Sequence, residues 1–314
     1  MKILVTGGTG FLGKHVQQAF SKSSNELWFP SSKDLNLLDS RASEEAIAYI
    51  QPDTILHMAA VCGGILANKN SPADFLHKNL DMASNIFHAA RKVGCKNVFT
   101  LGSVCAYPKN CRTPFIEANL WDGYPEETNA PYGIAKRVLL MLGKTYREQY
   151  GIGGTHLIPV NMYGEHDHFD LTNSHVIPAL IRKFDNAITN NLPEVECWGT
   201  GKATREFLYA GDCAQAIVRA VESGLTADEP INLGMGKDIT IEDLAALVAE
   251  LTGYLGKIRF TGEVSDGQPK RLLSVYRAQT LLDWHASTTL RDGLVRTIRW
   301  YRANKQQIIA ADAS

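Results

Sequence analysis

"KILVTGGTGFLGKHV", Lys2 to Val16, is the stretch that decides the fold. "KILVT" reads as a short buried strand, "GGTGFLG" as a glycine turn, and "KHVQQAF" carries apolar residues at helical spacing. Strand, turn and helix in that order make a nucleotide-binding βα unit, in which the turn offers a pyrophosphate the backbone amides at a helix N-terminus. The glycines fit two registers, GxGxxG (Gly8, Gly10, Gly13) or GxxGxxG (Gly7, Gly10, Gly13). In either one, a missing side chain permits a tight turn, close approach of backbone to phosphate, and close packing of helix on strand. Gly7, Gly10, Phe11, Leu12 and Gly13 are therefore expected to face a dinucleotide.

Further along, the same unit repeats. "ELWFP" (26–30) reads as a second strand ending beside the adenine ribose. NAD binders commonly place an acid there, on the 2′-hydroxyl. This chain has Pro30-Ser31-Ser32-Lys33, whose hydroxyls and cation suit a 2′-phosphate, so NADP(H) is the expected cofactor. The plain alternative is a solvated turn in which Ser and Asp cap locally. "LNLLD" brings Asp39 toward the adenine edge, "EEAIAYI" reads as a helix, and "TILHMAA" as a strand with small Ala59 and Ala60 where a dinucleotide would cross. A helix over about 79–93 and the strand "NVFTLGS" extend the pattern to βαβαβαβ. That pattern predicts an α/β fold with a Rossmann-type doubly wound parallel sheet, its ligands at the carboxyl ends of the strands. After "HLIPVNMYG" the alternation loosens, which predicts a smaller α/β substrate-binding lobe. Residues 1–163 plus about 207–230 are assigned to the NADP-binding domain, and about 164–206 plus 231–314 to the lobe.

The 314 residues carry a formal net charge of −1, which favours neither nucleic acid nor a membrane surface as partner and leaves a small molecule. No apolar run approaches the roughly 18 residues of a membrane span. Six cysteines without a CxxC pair, in a chain that opens on a strand rather than a leader, predict free thiols and a cytoplasmic location. No metal is expected.

The chemistry lies in two strings. In "TLGSVCAYP" (100–108), alternation along a strand would send Ser103 and Cys105 to one face. In "NAPYGIAKR", Pro131 is placed to start a helix, and Tyr132 and Lys136, four apart, share a face of it. An ammonium one turn from a phenol is expected to lower the phenol pKa from about 10. Ser103 could then hold a carbonyl oxygen to which Tyr132 gives a proton as hydride arrives. On residue type and spacing alone, the favoured reading of Cys105 is a small buried hydrophobe, and that of His175 a satisfied histidine near a helix start.

Longer strings, spread over nearly the whole chain, carry a resemblance: "VTGGTGFLGK", "SSKDLNLLD", "HMAAVCGGI", "GSVCAYPK", "PYGIAKR", "NMYGEHDHF", "NSHVIPALIRKF", "WGTGKATREFLY" and "SDGQPKR". The chain resembles the extended short-chain dehydrogenases/reductases and, within them, the GDP-L-fucose synthase family of epimerase-reductases. The resemblance implies a GDP-linked 4-keto sugar as substrate, with NADPH reducing C4 and Tyr132 as acid. It makes Cys105 the base that removes protons at C3 and C5, and His175 the acid that returns one to the opposite face. It adds Asn161 and His175 to Tyr132 and Lys136 at the cofactor. Ser103, Lys183, Trp198, Arg205 and Arg271 are placed at the sugar nucleotide, where an indole can cover a ring and a guanidinium can clamp diphosphate. It also implies a homodimer formed through two long helices. Two strings depart from the family: Ser103-Val104-Cys105 stands for Ser-Ser-Cys, and Glu165-His166-Asp167-His168 for Pro-His-Asp-Asn. The first loses one hydroxyl; the Glu165 and His168 changes of the second fall near the sugar, so a dideoxy or heptose 4-keto sugar, or a single epimerisation, stays open.

Overall fold

The computed structural model describes residues 1–171, 174–262 and 268–312. In chain order the first half runs β1 (Lys2–Thr6), α1 (Phe11–Ala19), β2 (Glu26–Trp28), α2 (Ser40–Ile50), β3 (Thr54–His57), α3 (Ile65–Asn70), α4 (Pro72–Lys92), β4 (Asn97–Leu101), α5 (Ala130–Tyr150) and β5 (His156–Pro159). The second half runs β6 (Asn161–Tyr163), α6 (Val176–Thr189), β7 (Glu194–Cys197), β8 (Thr204–Tyr209), α7 (Ala210–Glu222), β9 (Ile231–Leu233), β10 (Asp238–Thr240), α8 (Ile241–Thr252), β11 (Lys257–Phe260), β12 (Lys270–Arg271), α9 (Tyr276–Leu282) and α10 (Leu290–Asp312).

Six strands form one sheet in the order β2-β1-β3-β4-β5-β9, with every neighbouring pair parallel. The period of two distributes their side chains. Ile3, Val5, Leu56 and Phe99 join a core with Val16 of α1 and Ile217 of α7. Leu4, Ile55 and Val98 point the other way, onto Ile47 of α2, Ile86 of α4 and Leu139 of α5. Helices thus cover both faces, which is why these strands are apolar throughout. The strand order reverses between β1 and β3, so a crevice opens there at their carboxyl ends.

A smaller sheet is built about β8, which runs antiparallel to β10 and parallel to β6 and β12, while β7 pairs with β11. Its core holds Phe169, Ile181, Phe184, Phe207, Leu244 and Ile298. Two pieces assigned to this lobe from the sequence lie elsewhere. β9 hydrogen-bonds to β5 at the edge of the main sheet, and Leu273, Ala278, Leu282 and Trp284 pack into the α1–α7 core. An uncovered edge would leave backbone groups of β5 unpaired, and β9 satisfies them. The helix expected over about 79–93 starts earlier, at Pro72, because proline in the first turn has no amide that the helix would use. Among the described residues, no helix is long and apolar enough to cross a membrane.

Two histidines are buried within the main sheet. His57 Nδ1 lies 2.8 Å from Thr6 Oγ1, and His156 Nδ1 lies 2.7 Å from Thr100 Oγ1. Burial, and secondarily the charge of Lys136, push each imidazole down to about 3. In the unfolded chain each would take up a proton near pH 6.5, so between those values the folded form binds fewer protons. The stability this confers is present above about pH 6.5 and is lost as pH falls toward 3. Denaturant midpoints should therefore drop through that window, and drop less steeply in His57→Gln. Equal slopes in the two proteins would exclude His57 as a contributor.

Candidate active site

The glycine turn resolves its own register. Gly7 has φ +72°, and a Cβ there would lie 2.7 Å from the Ala59 amide nitrogen, where β1 and β3 diverge. A Cβ at Gly13 would overlap the carbonyl oxygens of Gly7 and Gly8, whereas Gly8 is crowded only by the Phe29 side chain. Gly10 is the N-cap of α1, whose first turn, opened by Phe11 and Leu12, carries no acidic residue and no capping side chain. Its free amides therefore remain available to an anion. GxxGxxG is the working register, and this cradle, with Ala59 and Ala60 beside it, fits a dinucleotide pyrophosphate.

After β2, Asp34 Oδ2 accepts from Ser31 Oγ at 2.6 Å and from the Ser31 amide at 3.0 Å. The local capped turn is thus formed, and it leaves Ser32 and Lys33 exposed. Asp39, expected toward the adenine edge, is the N-cap of α2 and accepts the Ala42 amide at 3.0 Å. Its carboxylate satisfies helix amides that would otherwise lack a partner.

The chemistry-bearing turn differs from the strand expected. β4 ends at Leu101, and Ser103 N-caps a single 3₁₀ turn over Val104–Ala106, accepting the Cys105 amide at 3.2 Å. The chain leaves the sheet at Gly102, where a Cβ would lie 2.5 Å from His156 Nε2. A serine that caps its own neighbour competes with strand pairing, so Ser103 and Cys105 are brought together by a turn rather than by alternation.

Helix α5 docks on that turn through residues at i, i+3 and i+4. A Cβ on Gly133 would overlap the Cys105 carbonyl oxygen. Lys136 Nζ donates to Leu101 O at 2.9 Å, and Arg137 Nε to Ala106 O at 2.7 Å. Tyr132 is thereby held at the turn, edge-on to Phe75 with ring centroids 6.2 Å apart, and Lys136 Nζ lies 5.5 Å from the Tyr132 centroid. The electrostatics reverse the sequence expectation. Burial pushes the Tyr132 phenol well above 10, with Cys62 and Cys105 acting in the same direction, and burial lowers Lys136 to about 8. Desolvation dominates, and the phenol stays protonated, the form that can donate.

Cys62 and His175 are reached by solvent and Tyr132 partly so, yet burial dominates the ionisation of all three, as in a deep cleft. His175, the N-cap residue of α6, is pushed down by burial and by the charge of His168. Cys62 and Asp167 were not singled out from the sequence. Burial raises Asp167 to about 7; its Oδ1 accepts the His168 amide at 2.8 Å, and its buried Oδ2 has no partner among the described residues. Its charge acts in turn on Cys62. The available signal was their position in loops after β3 and β6, since parallel strands gather ligands at those ends.

On the substrate side the structure brings Lys183 and Trp198 together: Lys183 Nζ lies 4.9 Å from the indole ring and donates to Glu196 O at 2.9 Å. The indole is 55% exposed, which leaves ring face available for stacking. Arg205 on β8 donates to Thr204 O at 2.8 Å, and Asn161 Nδ2 to Glu206 O at 2.9 Å, tying β6 to β8. Arg271, expected at a diphosphate, is buried and donates through Nη1 to Cys105 Sγ at 3.7 Å.

Residues 3–234 match the NAD dependent epimerase/dehydratase family. The GDP-L-fucose synthase of Escherichia coli (strain K12) is 38% identical over 315 residues, covering 98% of each chain. Among solved structures, a GDP-6-OMe-4-keto-L-xylo-heptose reductase from C. jejuni matches with a TM-score of 0.89 and 26% identity, over 96% of this chain and 98% of that one. A GDP-L-fucose synthetase from Naegleria fowleri bound to NADP matches with a TM-score of 0.87 and 29% identity, over 97% and 95%.

Proposed function

Because the chain belongs to the NAD dependent epimerase/dehydratase family, we propose that it is an NADPH-dependent epimerase-reductase of a GDP-linked 4-keto-6-deoxy sugar. The observation that carries this reading is the docking of α5 on the Ser103–Ala106 turn through Gly133, Lys136 and Arg137, which supports Tyr132 and Cys105 acting at one site. The near full-length likeness to a GDP-L-fucose synthase supports the same substrate class.

Gly7, Gly10, Gly13, Ala59 and Ala60 would hold the pyrophosphate side of NADPH, Ser32 and Lys33 with Ser31 the 2′-phosphate, and Asn161 and His175 the nicotinamide side. When bound, NADPH supplies the hydride. Cys105 removes the proton from C3 or C5, whose C–H bonds are acidic because the carbanion delocalises into the ketone as an enolate. His175 returns a proton to the opposite face, and its lowered pKa makes its imidazolium the stronger acid. Ser103 keeps its own O–H proton for the ketone oxygen, since its bond to Cys105 uses only a lone pair. Tyr132 protonates that oxygen, and Lys136, fixed by Leu101 O, steadies the phenolate left behind. Lys183, Trp198 and Arg205 bind the sugar nucleotide. We also assign a cytoplasmic homodimer, supported by six free cysteines and by exposed Val138, Met141 and Tyr150 on α5.

Incubation with NADPH and GDP-4-keto-6-deoxymannose is expected to consume NADPH and yield a product inverted at C3 and C5 by NMR. A reduced product with neither centre inverted would leave a plain reductase, and no consumption would overturn the reading. The likeness to a heptose reductase, together with the Glu165 and His168 departures, favours a second reading in which the sugar is a dideoxy or heptose relative. Faster turnover of such a sugar would select it.

A further inference from the structure

The surroundings of Arg271 carry an inference that rests on the proposed role of Cys105 as base. β12 pairs with β8 so that Lys270 lies opposite Thr204 and Arg271 opposite Arg205. Alternation then separates the adjacent basic residues. Lys270 turns outward to Asp238 Oδ2 at 2.9 Å, and Arg271, 8% exposed, turns inward. Among the described residues no carboxylate pairs with Arg271; its Nε donates to Gln268 Oε1 at 2.7 Å and its Nη1 to Cys105 Sγ at 3.7 Å. Gln268 is itself buried and oriented. Its Nε2 donates to Pro108 O at 3.0 Å and Lys109 O at 2.7 Å, which leaves only its oxygen to face the guanidinium.

A buried cation without an anion is costly, and a neutral thiol is only a weak acceptor. A thiolate at Cys105 would supply the missing charge. We propose that Arg271 is a positioning residue that holds Cys105 as the thiolate before substrate arrives, with Gln268 fixing the guanidinium in that direction. In the step this prepares, the thiolate sulfur takes the proton from C3 or C5. The S–H bond forms as the C–H bond breaks, and the electron pair passes to the ketone oxygen as the enolate. The thiol later returns its proton to water, and no oxidant or reductant is involved.

The test is the rate of iodoacetamide alkylation at Cys105 as a function of pH in sugar-free enzyme, read by mass spectrometry of the peptide that contains it. In Arg271→Gln the rate near neutral pH should fall about 10- to 10³-fold, as expected for removal of an opposite charge within about 4–6 Å. The difference should close at alkaline pH, where both proteins carry thiolate. Arg271→Lys should recover part of the rate, and Gln268→Ala should lose a smaller part. These two variants answer the question even where Arg271→Gln does not fold. Unchanged alkylation profiles in the folded variants would overturn the proposal, and a raised KM for the sugar nucleotide alongside them would return Arg271 to the diphosphate. The base role fails separately: Cys105→Ser that still exchanged C3 and C5 protons would remove it, whatever the alkylation profile showed.

Discussion

Tyr132→Phe is expected to lower kcat for ketone reduction by about 10²–10⁴-fold, the usual contribution of a positioned general acid, with a far smaller effect on NADPH affinity. The substitution removes only the hydroxyl. The ring keeps its edge contact with Phe75, and α5 remains docked through Gly133, Lys136 and Arg137, so the fold has no reason to move. Ser103 remains able to hold the ketone oxygen, but its hydroxyl is a far weaker acid than a phenol. The informative readout is the split between half-reactions. Solvent deuterium should still enter C3 and C5, because Cys105 and His175 are untouched, while the ketone accumulates and NADPH is spared. Near-normal NADPH turnover would remove Tyr132 from the acid role.

Cys105→Ser should do the reverse. A hydroxyl is a far weaker acid than a thiol, so the oxyanion needed to attack a C–H bond is scarcely populated, and deuterium uptake at C3 and C5 should fall by about 10²–10⁴-fold. The turn itself should survive, because Ser103 caps it through the backbone amide of residue 105, not through the thiol. NADPH binding should persist, and slow reduction of the unepimerised ketone should remain. Unaltered exchange would show that another group is the base. Cys62, solvent-exposed and electrostatically coupled to Tyr132, would then be the first to examine.

How much of the site could be read from the chain depends on the distance between the residues concerned. Gly7, Gly10 and Gly13 span seven residues, and the tight turn that needs them is local, so the turn was legible in the chain while the choice between its two registers was not. Tyr132 and Lys136 share a face because helical geometry alone puts them there. Thr240 is a further local case: it caps α8 and accepts the Asp243 amide, three residues on, at 3.0 Å. Asp39 shows the limit of such reasoning: its polar character was legible, but a helix amide three residues on, not a ligand edge, is what its carboxylate meets.

By itself the sequence determined what short-range periodicity and turn chemistry control: the parallel sheet wound from βα units, the glycine turn that opens α1, and the tyrosine and lysine on one helix face. Only the tertiary structure decided that Ser103 and Cys105 meet on a turn rather than a strand, that β9 closes the main sheet, and that Arg271 reaches a thiol 166 residues away. It also decided the sense of the electrostatics, since Tyr132 and Lys136 titrate according to how much water the rest of the protein removes. Desolvation and long-range contact are properties of the packed chain as a whole, and no local pattern of residues encodes either one.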